Sequence, residues 1–348
     1  MKDVSRRNLI KGSALALGAG AAVLTGAKPA SAGDKIVWRM QALWGAGTTP
    51  QIYEEKFVKR VADLTDGNFE IKLFAGGQLV PNAQAFDAVR SGAFQMMKTF
   101  DGYAAGKIPA FGFTSTVPFG FPDPDQFEAW FYELGGLEMA REAYAPAGLT
   151  YIAPTVYGEE PIHSKVPLKS LADFKGKKGR FVGLASSVMG DMGVSVAPLP
   201  TSEVYSALDK GLIDLADRGD IKANFEQGLA EVAKYIILPG VHQPTTATSY
   251  VANTAAYGAL PEQYKQALAV AAREVSSSLR QNIMVSNVEY LQKFKDAGVE
   301  IITLDQDDIA QGRKTAVGSW RKATKGNELA TRVLETQMSY MRQLGLLA

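Results

Sequence analysis

The chain has no cysteine and only two histidines, His163 and His242, among its 348 residues. The absence of cysteine excludes disulfides, thiolate nucleophiles and cysteine metal sites. Two histidines are a small supply for acid–base or metal chemistry, in which histidine is the commonest side chain. The composition therefore weakens the case for an enzyme.

A long hydrophobic run is also missing. Residues 1–32 contain Ser5-Arg6-Arg7-Asn8-Leu9-Ile10-Lys11, an apolar stretch diluted by glycine, and Ala30-Ser31-Ala32. This order is typical of a twin-arginine export signal with a small-residue cleavage site, and the stretch falls short of the roughly 20 apolar residues that a spanning helix needs. We expect residues 1–32 to be removed on export to the periplasm; an uncleaved N-terminal anchor is the alternative.

No block of basic residues is present. The whole chain carries a net charge of +1, but residues 1–32 hold five basic side chains and one acidic, which leaves 32 basic and 35 acidic side chains, about −3, after cleavage. Such a protein lacks the cationic surface that nucleic acids and anionic lipids require. We therefore expect no nucleic-acid partner and no attachment to a lipid surface.

The 316 residues that remain exceed what one hydrophobic core usually fills, which favours two lobes. Residues 35–41 have strand character, residues 50–64 space apolar side chains as in a helix, and residues 69–74 have strand character again. A further short strand is predicted at 93–97. This alternation predicts an α/β fold.

Later segments suggest how the two lobes connect. Residues 169–243 form the second lobe in this interpretation, which the chain enters through the strand-like 150–156 and leaves through 249–253. Two crossings imply a hinge. The chain is strongly helical from Pro261 through Lys293, and residues 334–346 form one apolar stripe, typical of a core or a dimer seam.

No motif matches a catalytic pattern in full. Gly193-Val194-Ser195-Val196-Ala197 lacks the final glycine of a nucleophile elbow, and no glycine-rich phosphate loop with its lysine is present. Asp305-Gln306-Asp307 lacks the later glutamate of a calcium loop and is better explained as a helix cap. Arg180, at the start of a strand-like segment, offers a planar fork for a carboxylate, with a surface salt bridge as the alternative.

Four segments in order resemble the solute receptors of tripartite ATP-independent periplasmic (TRAP) transporters, in the dicarboxylate-receptor superfamily. They are Phe74-Ala75-Gly76-Gly77-Gln78-Leu79-Val80-Pro81, Val117-Pro118-Phe119-Gly120, the run from Leu171 to Arg180, and Glu203-Val204-Tyr205-Ser206-Ala207-Leu208-Asp209-Lys210-Gly211-Leu212-Ile213-Asp214. The resemblance covers nearly the whole mature chain and is closest to the 2-oxo acid subgroup, which shares the Val-Pro-Phe-Gly segment.

This resemblance implies a two-lobed periplasmic solute-binding fold. Mixed sheets flanked by helices form each lobe, and crossing strands and a long lobe-spanning helix join the lobes at a hinge. We assign residues 33–156 with about 247–285 to lobe I, and residues 157–246 with about 286–348 to lobe II.

It also implies a site. Arg180 falls at the arginine that anchors the ligand carboxylate. In the subgroup a metal ion can bridge the ligand to an acidic side chain and a glutamine, and the same matching places Glu159, Asp217 and Gln243 at these positions, with acid and amide exchanged. All three are hard oxygen ligands suited to sodium or calcium. We expect that no cofactor is required, although these three residues could hold a cation that bridges the ligand and the protein.

Where the subgroup has Ala-Glu-Trp, this chain has Ala216-Asp217-Arg218. Arg218 either contacts the ligand directly, which would favour a dicarboxylate, a sulfonate or another acid with a second polar end, or pairs with Asp217, Asp220 or Glu159.

Two aromatic residues complete the predicted site. Trp44 and Tyr103, on first-lobe loops, supply an apolar wall and a hydroxyl donor, with buried packing as the alternative role for each.

The resemblance thus implies a receptor that captures a small organic acid anion, a 2-oxo or 2-hydroxy monocarboxylate, by lobe closure. It would deliver the anion to the TRAP membrane permease, and a homodimer through the C-terminal helix is a further prediction. The alternatives are a dicarboxylate or sulfonate receptor, a receptor for a sensor kinase, and a periplasmic enzyme with Glu159 or Asp217 as general base.

Overall fold

The computed structural model describes residues 35–197 and 199–348. The predicted export signal at residues 1–32 lies outside these residues. The strands are β1 (Ile36–Gln41), β2 (Phe69–Phe74), β3 (Met96–Thr99), β4 (Leu149–Tyr157), β5 (Ile162–Ser164), β6 (Lys178–Arg180), β7 (Ser195–Val196), β8 (Leu215–Ala216), β9 (Tyr235–Leu238), β10 (Thr246–Asn253) and β11 (Glu300–Thr303).

The α-helices of the described chain fall between and after these strands. They are α1 (Thr49–Leu64), α2 (Ala85–Arg90), α3 (Phe111–Ser115), α4 (Pro124–Glu133), α5 (Gly136–Tyr144), α6 (Gly183–Asp191), α7 (Val204–Asp209), α8 (Ile221–Glu226), α9 (Leu229–Val232), α10 (Thr254–Gly258), α11 (Glu262–Asp296), α12 (Gln306–Ala323) and α13 (Glu328–Gln343). None of these helices combines the length and the hydrophobicity needed to cross a membrane.

Local signals set several of these bounds. The side chain of Thr48 accepts a hydrogen bond from the Gln51 amide and caps α1, and Pro50 occupies its first turn. Gly67, just beyond the helix, adopts a positive φ of 74° that suits glycine. Asp305 caps α12 by accepting from the Asp307 amide at 2.8 Å, which confirms its prediction as a helix cap.

The strands form two mixed sheets. The first has the order β2-β1-β3-β10-β4, in which β1 pairs in parallel with β2 and β3, and β10 runs antiparallel to β3 and β4. The second has the order β11-β9-β5-β8-β6-β7, in which β5 is antiparallel to both of its neighbours. Helices flank both sheets, so the predicted α/β class is confirmed.

The chain passes between the two sheets at two places. Residues 158–161 lead from β4 in the first sheet to β5 in the second, and residues 239–245 lead back from β9 to β10. Because β4 and β10 are adjacent and antiparallel, the two crossing segments begin side by side. This is the two-lobed fold with two crossings that the sequence predicts.

The 35-residue helix α11 is about 52 Å long at 1.5 Å per residue. It packs against α1 and β4 on the first sheet and against α8 and β11 on the second. The predicted lobe-spanning helix is therefore present.

The C-terminal helix α13 places its apolar stripe in the chain's own core. Leu334, Met338 and Met341 are buried there, and the helix packs against α3 and α5. A dimer seam built from this stripe has no free surface, and the homodimer stays a prediction. The sequence analysis assigns residues 286–348 to lobe II, but α13 packs against α3 and α5, which lie in the segment assigned to lobe I. This lobe assignment therefore stays a prediction.

Candidate ligand-binding site

A cavity of about 290 Å³ lies between the two sheets. The first-sheet segments contribute an aromatic and apolar wall, and the second-sheet segments contribute the charged groups. The crossing segments add one residue each, Glu160 and Gln243. The lining includes Leu43, Trp44, Thr48, Phe100, Tyr103, Tyr157, Arg180, Val182, Thr201, Asp217, Arg218, Gln227 and Thr248.

Parallel pairing of β6 and β8 brings Arg180 and Asp217 together. Arg180 is the last residue of β6 and lies opposite Ala216, and Asp217 follows β8 directly. The carboxyl ends of the two strands therefore meet at the edge that faces the cavity, the usual place for a ligand in such sheets.

Arg180 is held by protein groups on nearly all of its donors. Its Nε donates to the Leu199 carbonyl at 3.0 Å, Nη1 donates to the backbone and side-chain oxygens of Asp217 at 3.2 and 2.7 Å, and Nη2 donates to Thr201 Oγ1 at 3.2 Å. A guanidinium has five N–H donors, so within the described chain one Nη2 donor is left to face the cavity. Arg180 is buried, with only 3% of the residue exposed.

Asp217 is the buried partner of this arginine. Its Oδ1 accepts the 2.7 Å bond from Arg180, and its Oδ2 lies 3.6 Å from Nε2 of His242. Burial lowers the pKa of His242 to about 4, so the ring is neutral at neutral pH. Asp217 and Arg180 therefore form the ion pair, and His242 packs beside it, in contact with the Phe181 ring.

Arg218 is half-buried and takes part in no ion pair within residues 35–197 and 199–348. Its Nε donates to the Thr201 carbonyl at 3.3 Å. Burial and the neighbouring charge of Arg180 lower its pKa. The pairing with Asp217, Asp220 or Glu159 that the sequence left open is not formed: Asp217 binds Arg180, and Asp220 caps α8 by accepting from the Ala223 amide.

Glu159 and Glu160 lie in the first crossing segment and point into different cavities. Glu159 accepts a hydrogen bond from the Gly240 amide and lines a second cavity of about 680 Å³. Glu160 lines the first cavity, where its Oε1 accepts the Tyr157 hydroxyl at 2.9 Å. Burial, and then the charge of Asp217, raise the pKa of Glu160 to about 8. The structure thus brings Glu160, not the predicted Glu159, to the site of Arg180.

Sequence reasoning missed Glu160 although a signal was present. In an extended segment successive side chains point to opposite sides, so only one of two adjacent glutamates can face a given cavity. The sequence contains both, and the match to the family pattern selects Glu159, which lines the second cavity.

Gln243 offers an acceptor without a partner. Its Nε2 donates to Thr246 Oγ1 at 3.0 Å, whereas its Oε1 is buried and has no hydrogen-bond partner in the described chain. No group of three or more histidine, aspartate or glutamate side chains with the spacing of a metal site occurs among the described residues. Of the predicted metal ligands, Asp217 and Gln243 line the cavity and Glu159 does not.

Trp44 and Tyr103 both line the cavity. Tyr103 packs edge-on against Phe100 with ring centroids 5.2 Å apart. It is 52% exposed, yet burial at its hydroxyl end raises its pKa, so the hydroxyl stays protonated and is available as a donor. Trp44 is partly buried against the core of the first sheet.

A two-lobed α/β fold with a buried arginine in a cavity between its sheets is the architecture expected of a solute-binding protein. Residues 40–327 match the family model described as bacterial extracellular solute-binding protein, family 7, and the chain belongs to this family. It is a TRAP receptor, and proteins of this family and fold serve transport and are not enzymes.

Relatives with known properties agree with this class. The chain is 30% identical over 310 residues to the monocarboxylate 2-oxoacid-binding periplasmic protein of Nostoc sp., which covers 89% of this chain and 85% of that protein. A TRAP solute-binding protein of Bordetella bronchiseptica, with copurified calcium and picolinate in its site, is 27% identical with a TM-score of 0.82, over 90% of this chain and 93% of that one. One of Pseudoalteromonas atlantica, with bound sodium and pyruvate, is 25% identical with a TM-score of 0.81, over 89% and 95%.

Proposed function

We propose that this receptor captures a small 2-oxo acid in the cavity between its sheets and delivers it to the TRAP membrane permease. The observation that carries the proposal is Arg180, a guanidinium enclosed between the lobes, oriented by Asp217 and with one donor left toward the cavity. The 2-oxo acid and pyruvate named for the Nostoc and Pseudoalteromonas relatives support this ligand class. A 2-hydroxy acid has the same carboxylate and a similar shape.

The charged contact alone is too weak for useful capture. Micromolar binding requires about −8 kcal/mol, whereas a charge-assisted hydrogen bond contributes about 1.5 to 3 kcal/mol. The rest must come from excluded water and from the apolar wall of Leu43, Trp44 and Phe100. Because this wall and Arg180 belong to different sheets, a ligand that touches both stabilises the closed state of the lobes.

We further propose that a sodium or calcium ion can bridge ligand and protein. The unpartnered Oε1 of Gln243 and the carboxylates of Asp217 and Glu160 line one cavity and are all hard oxygen donors. Glu160 replaces Glu159 in this set because Glu159 faces the second cavity. A bound cation would add positive charge beside the ligand carboxylate. Cations in the Bordetella and Pseudoalteromonas relatives support the proposal.

Export through the twin-arginine pathway, with cleavage after Ala32, is the route we propose to the periplasm. The pair Arg6-Arg7 carries this part of the proposal. Replacing both arginines with lysine should leave the precursor in the cytoplasm, whereas efficient export of that variant would point to another pathway.

The ligand class is tested by thermal shift and calorimetry on the purified mature protein. The screen contains small 2-oxo acids, 2-hydroxy acids, dicarboxylates and sulfonates, each with calcium and with chelator. We expect a 2-oxo acid to raise the melting temperature most, since a ligand that binds only the folded state stabilises it. Stabilisation by none of these acids, or by a sulfonate alone, would contradict the proposal.

A further inference from the structure

The wall of the cavity carries two guanidinium groups that are joined by one residue. Thr201 accepts from Arg180 Nη2 through its hydroxyl and from Arg218 Nε through its carbonyl. This arrangement fixes both arginines at the same edge of the second sheet, and both line the cavity.

The two arginines differ in what they leave free. Arg180 donates four of its five N–H groups to Leu199, Asp217 and Thr201. Arg218 donates only its Nε–H, to the Thr201 carbonyl. Within the described residues its two terminal nitrogens have neither a hydrogen-bond partner nor an ion pair. The planar fork that matches a carboxylate with two parallel bonds is therefore free on Arg218 and largely occupied on Arg180.

A half-buried cation without a counter-ion is costly unless a ligand supplies the opposite charge. The acidic partners that the sequence offers Arg218 are occupied: Asp217 by Arg180, Asp220 by the N-terminus of α8, and Glu159 by the Gly240 amide in the other cavity. Glu160 shares the cavity with Arg218, but within the described residues it accepts the Tyr157 hydroxyl and forms no ion pair with Arg218. Arg218 therefore has no counter-ion among the described residues, and an anion in the cavity can supply one.

The size of the cavity allows for such a group. The cavity of about 290 Å³ is near the lower end of the volumes that hold drug-sized ligands, about 300 Å³, so a three-carbon 2-oxo acid would fill only part of it. Gly219, Ala223 and Gln227, which follow Arg218 in the chain, also line the cavity.

We propose that Arg218 is a second anion anchor and that the ligand is a short 2-oxo acid with a second anionic group at its far end. This inference rests on the proposed function, and it names the ligand more narrowly. Arg180 holds the carboxylate beside the 2-oxo group through its remaining donor, and Arg218 takes the distal carboxylate in its free fork. Arg218 is thus the residue that makes the receptor bind diacids more tightly than monoacids.

The test compares two acids that differ only in the distal group. 2-Oxoglutarate and 2-oxopentanoate have the same five-carbon chain, and only the first ends in a second carboxylate. By calorimetry on the mature protein we expect 2-oxoglutarate to bind at least about tenfold more tightly, with a steeper dependence on salt. The variant Arg218→Met should lose this preference, so that the two acids bind with affinities within about threefold of each other.

Arg313→Met serves as the matched control. Arg313 is also half-buried and without an acidic partner in the described chain, but it lines the second cavity and donates to the Phe119 carbonyl. Its replacement should leave the preference intact. If Arg218→Met does not fold, the affinities of Arg218→Gln and of the wild type for the two acids are compared instead.

Equal or tighter binding of 2-oxopentanoate by the wild type, or a preference that survives in Arg218→Met, would overturn the inference and leave the proposed function standing. Binding of neither acid, nor of any other 2-oxo acid, would contradict the proposed function itself.

Discussion

Glu159 and Glu160 are adjacent in the chain and face opposite cavities, one on each side of the crossing segment. The second crossing repeats this arrangement, because Gln243 lines the ligand cavity and Pro244 lines the second one. The two crossing segments are thus a shared wall, and the backbone hydrogen bond from Glu160 N to the Gln243 carbonyl at 3.1 Å joins them. A movement of the lobes about these segments changes both cavities together.

This geometry assigns different roles to the two glutamates. With calcium and the best 2-oxo acid present, Glu160→Gln should reduce the cation-dependent part of the thermal shift, because a donor oxygen with negative charge is lost from the ligand cavity. Glu159→Gln should retain it. The two variants differ by one position and by the same chemical change, so equal losses in both would contradict the proposed cation ligands.

The sequence predicts the secondary structure more precisely than the positions of the site residues. The strand at 35–41 and the helix at 50–64 agree with β1 and α1 to within one residue, because their periodicity and caps are local signals. The cavity face of Glu160 and the free fork of Arg218 depend on how the crossing segments and α8 are placed in space, which no local pattern encodes.

The burial of Lys98 in the core is a second feature that no local sequence pattern encodes. The sequence predicts a short apolar strand at 93–97, whereas β3 (Met96–Thr99) starts later, includes Lys98 and buries it, although lysine usually lies at the surface. Its Nζ lies 3.4 Å from the centroid of the Tyr250 ring and bonds to Thr155 Oγ1 and the Thr248 carbonyl. Thr248 lines the ligand cavity, so this buried cation lies directly behind the cavity wall.

Burial lowers the pKa of Lys98 to about 8, against the opposing charges of Glu54 and Asp101. In the unfolded chain the pKa is near its usual 10.5, so between pH 8 and pH 10 the unfolded state binds more protons than the folded state. The free energy of unfolding should therefore rise with pH in this window, by up to about 1.4 kcal/mol per pH unit relative to Lys98→Met. Denaturant titrations at several pH values measure this difference, and parallel curves for the two proteins would contradict it.

Gly240 allows the second crossing to pass close to the first. A Cβ at this position would collide with the backbone carbonyl of Glu160. Gly240→Ala should lower the free energy of unfolding by about 1 to 3 kcal/mol, because one of the two crossings must shift. Gly318→Ala, within α12 and with open space at its Cβ, should raise it by up to about 1 kcal/mol. Equal stability of Gly240→Ala and the wild type would show that the crossings are less tightly packed than described.

We propose that Arg180 anchors the carboxylate of a small 2-oxo acid. Calorimetry of Arg180→Lys with the best 2-oxo acid tests it most directly, since lysine keeps a positive charge beside Asp217 but cannot reproduce the bonds to Leu199, Asp217 and Thr201 that orient the remaining donor. Arg313→Lys, with circular dichroism to confirm that both variants are folded, is the control. We predict a loss of affinity of about a hundredfold for Arg180→Lys and none for Arg313→Lys. A folded Arg180→Lys protein that binds the acid within about threefold of the wild type would contradict the account.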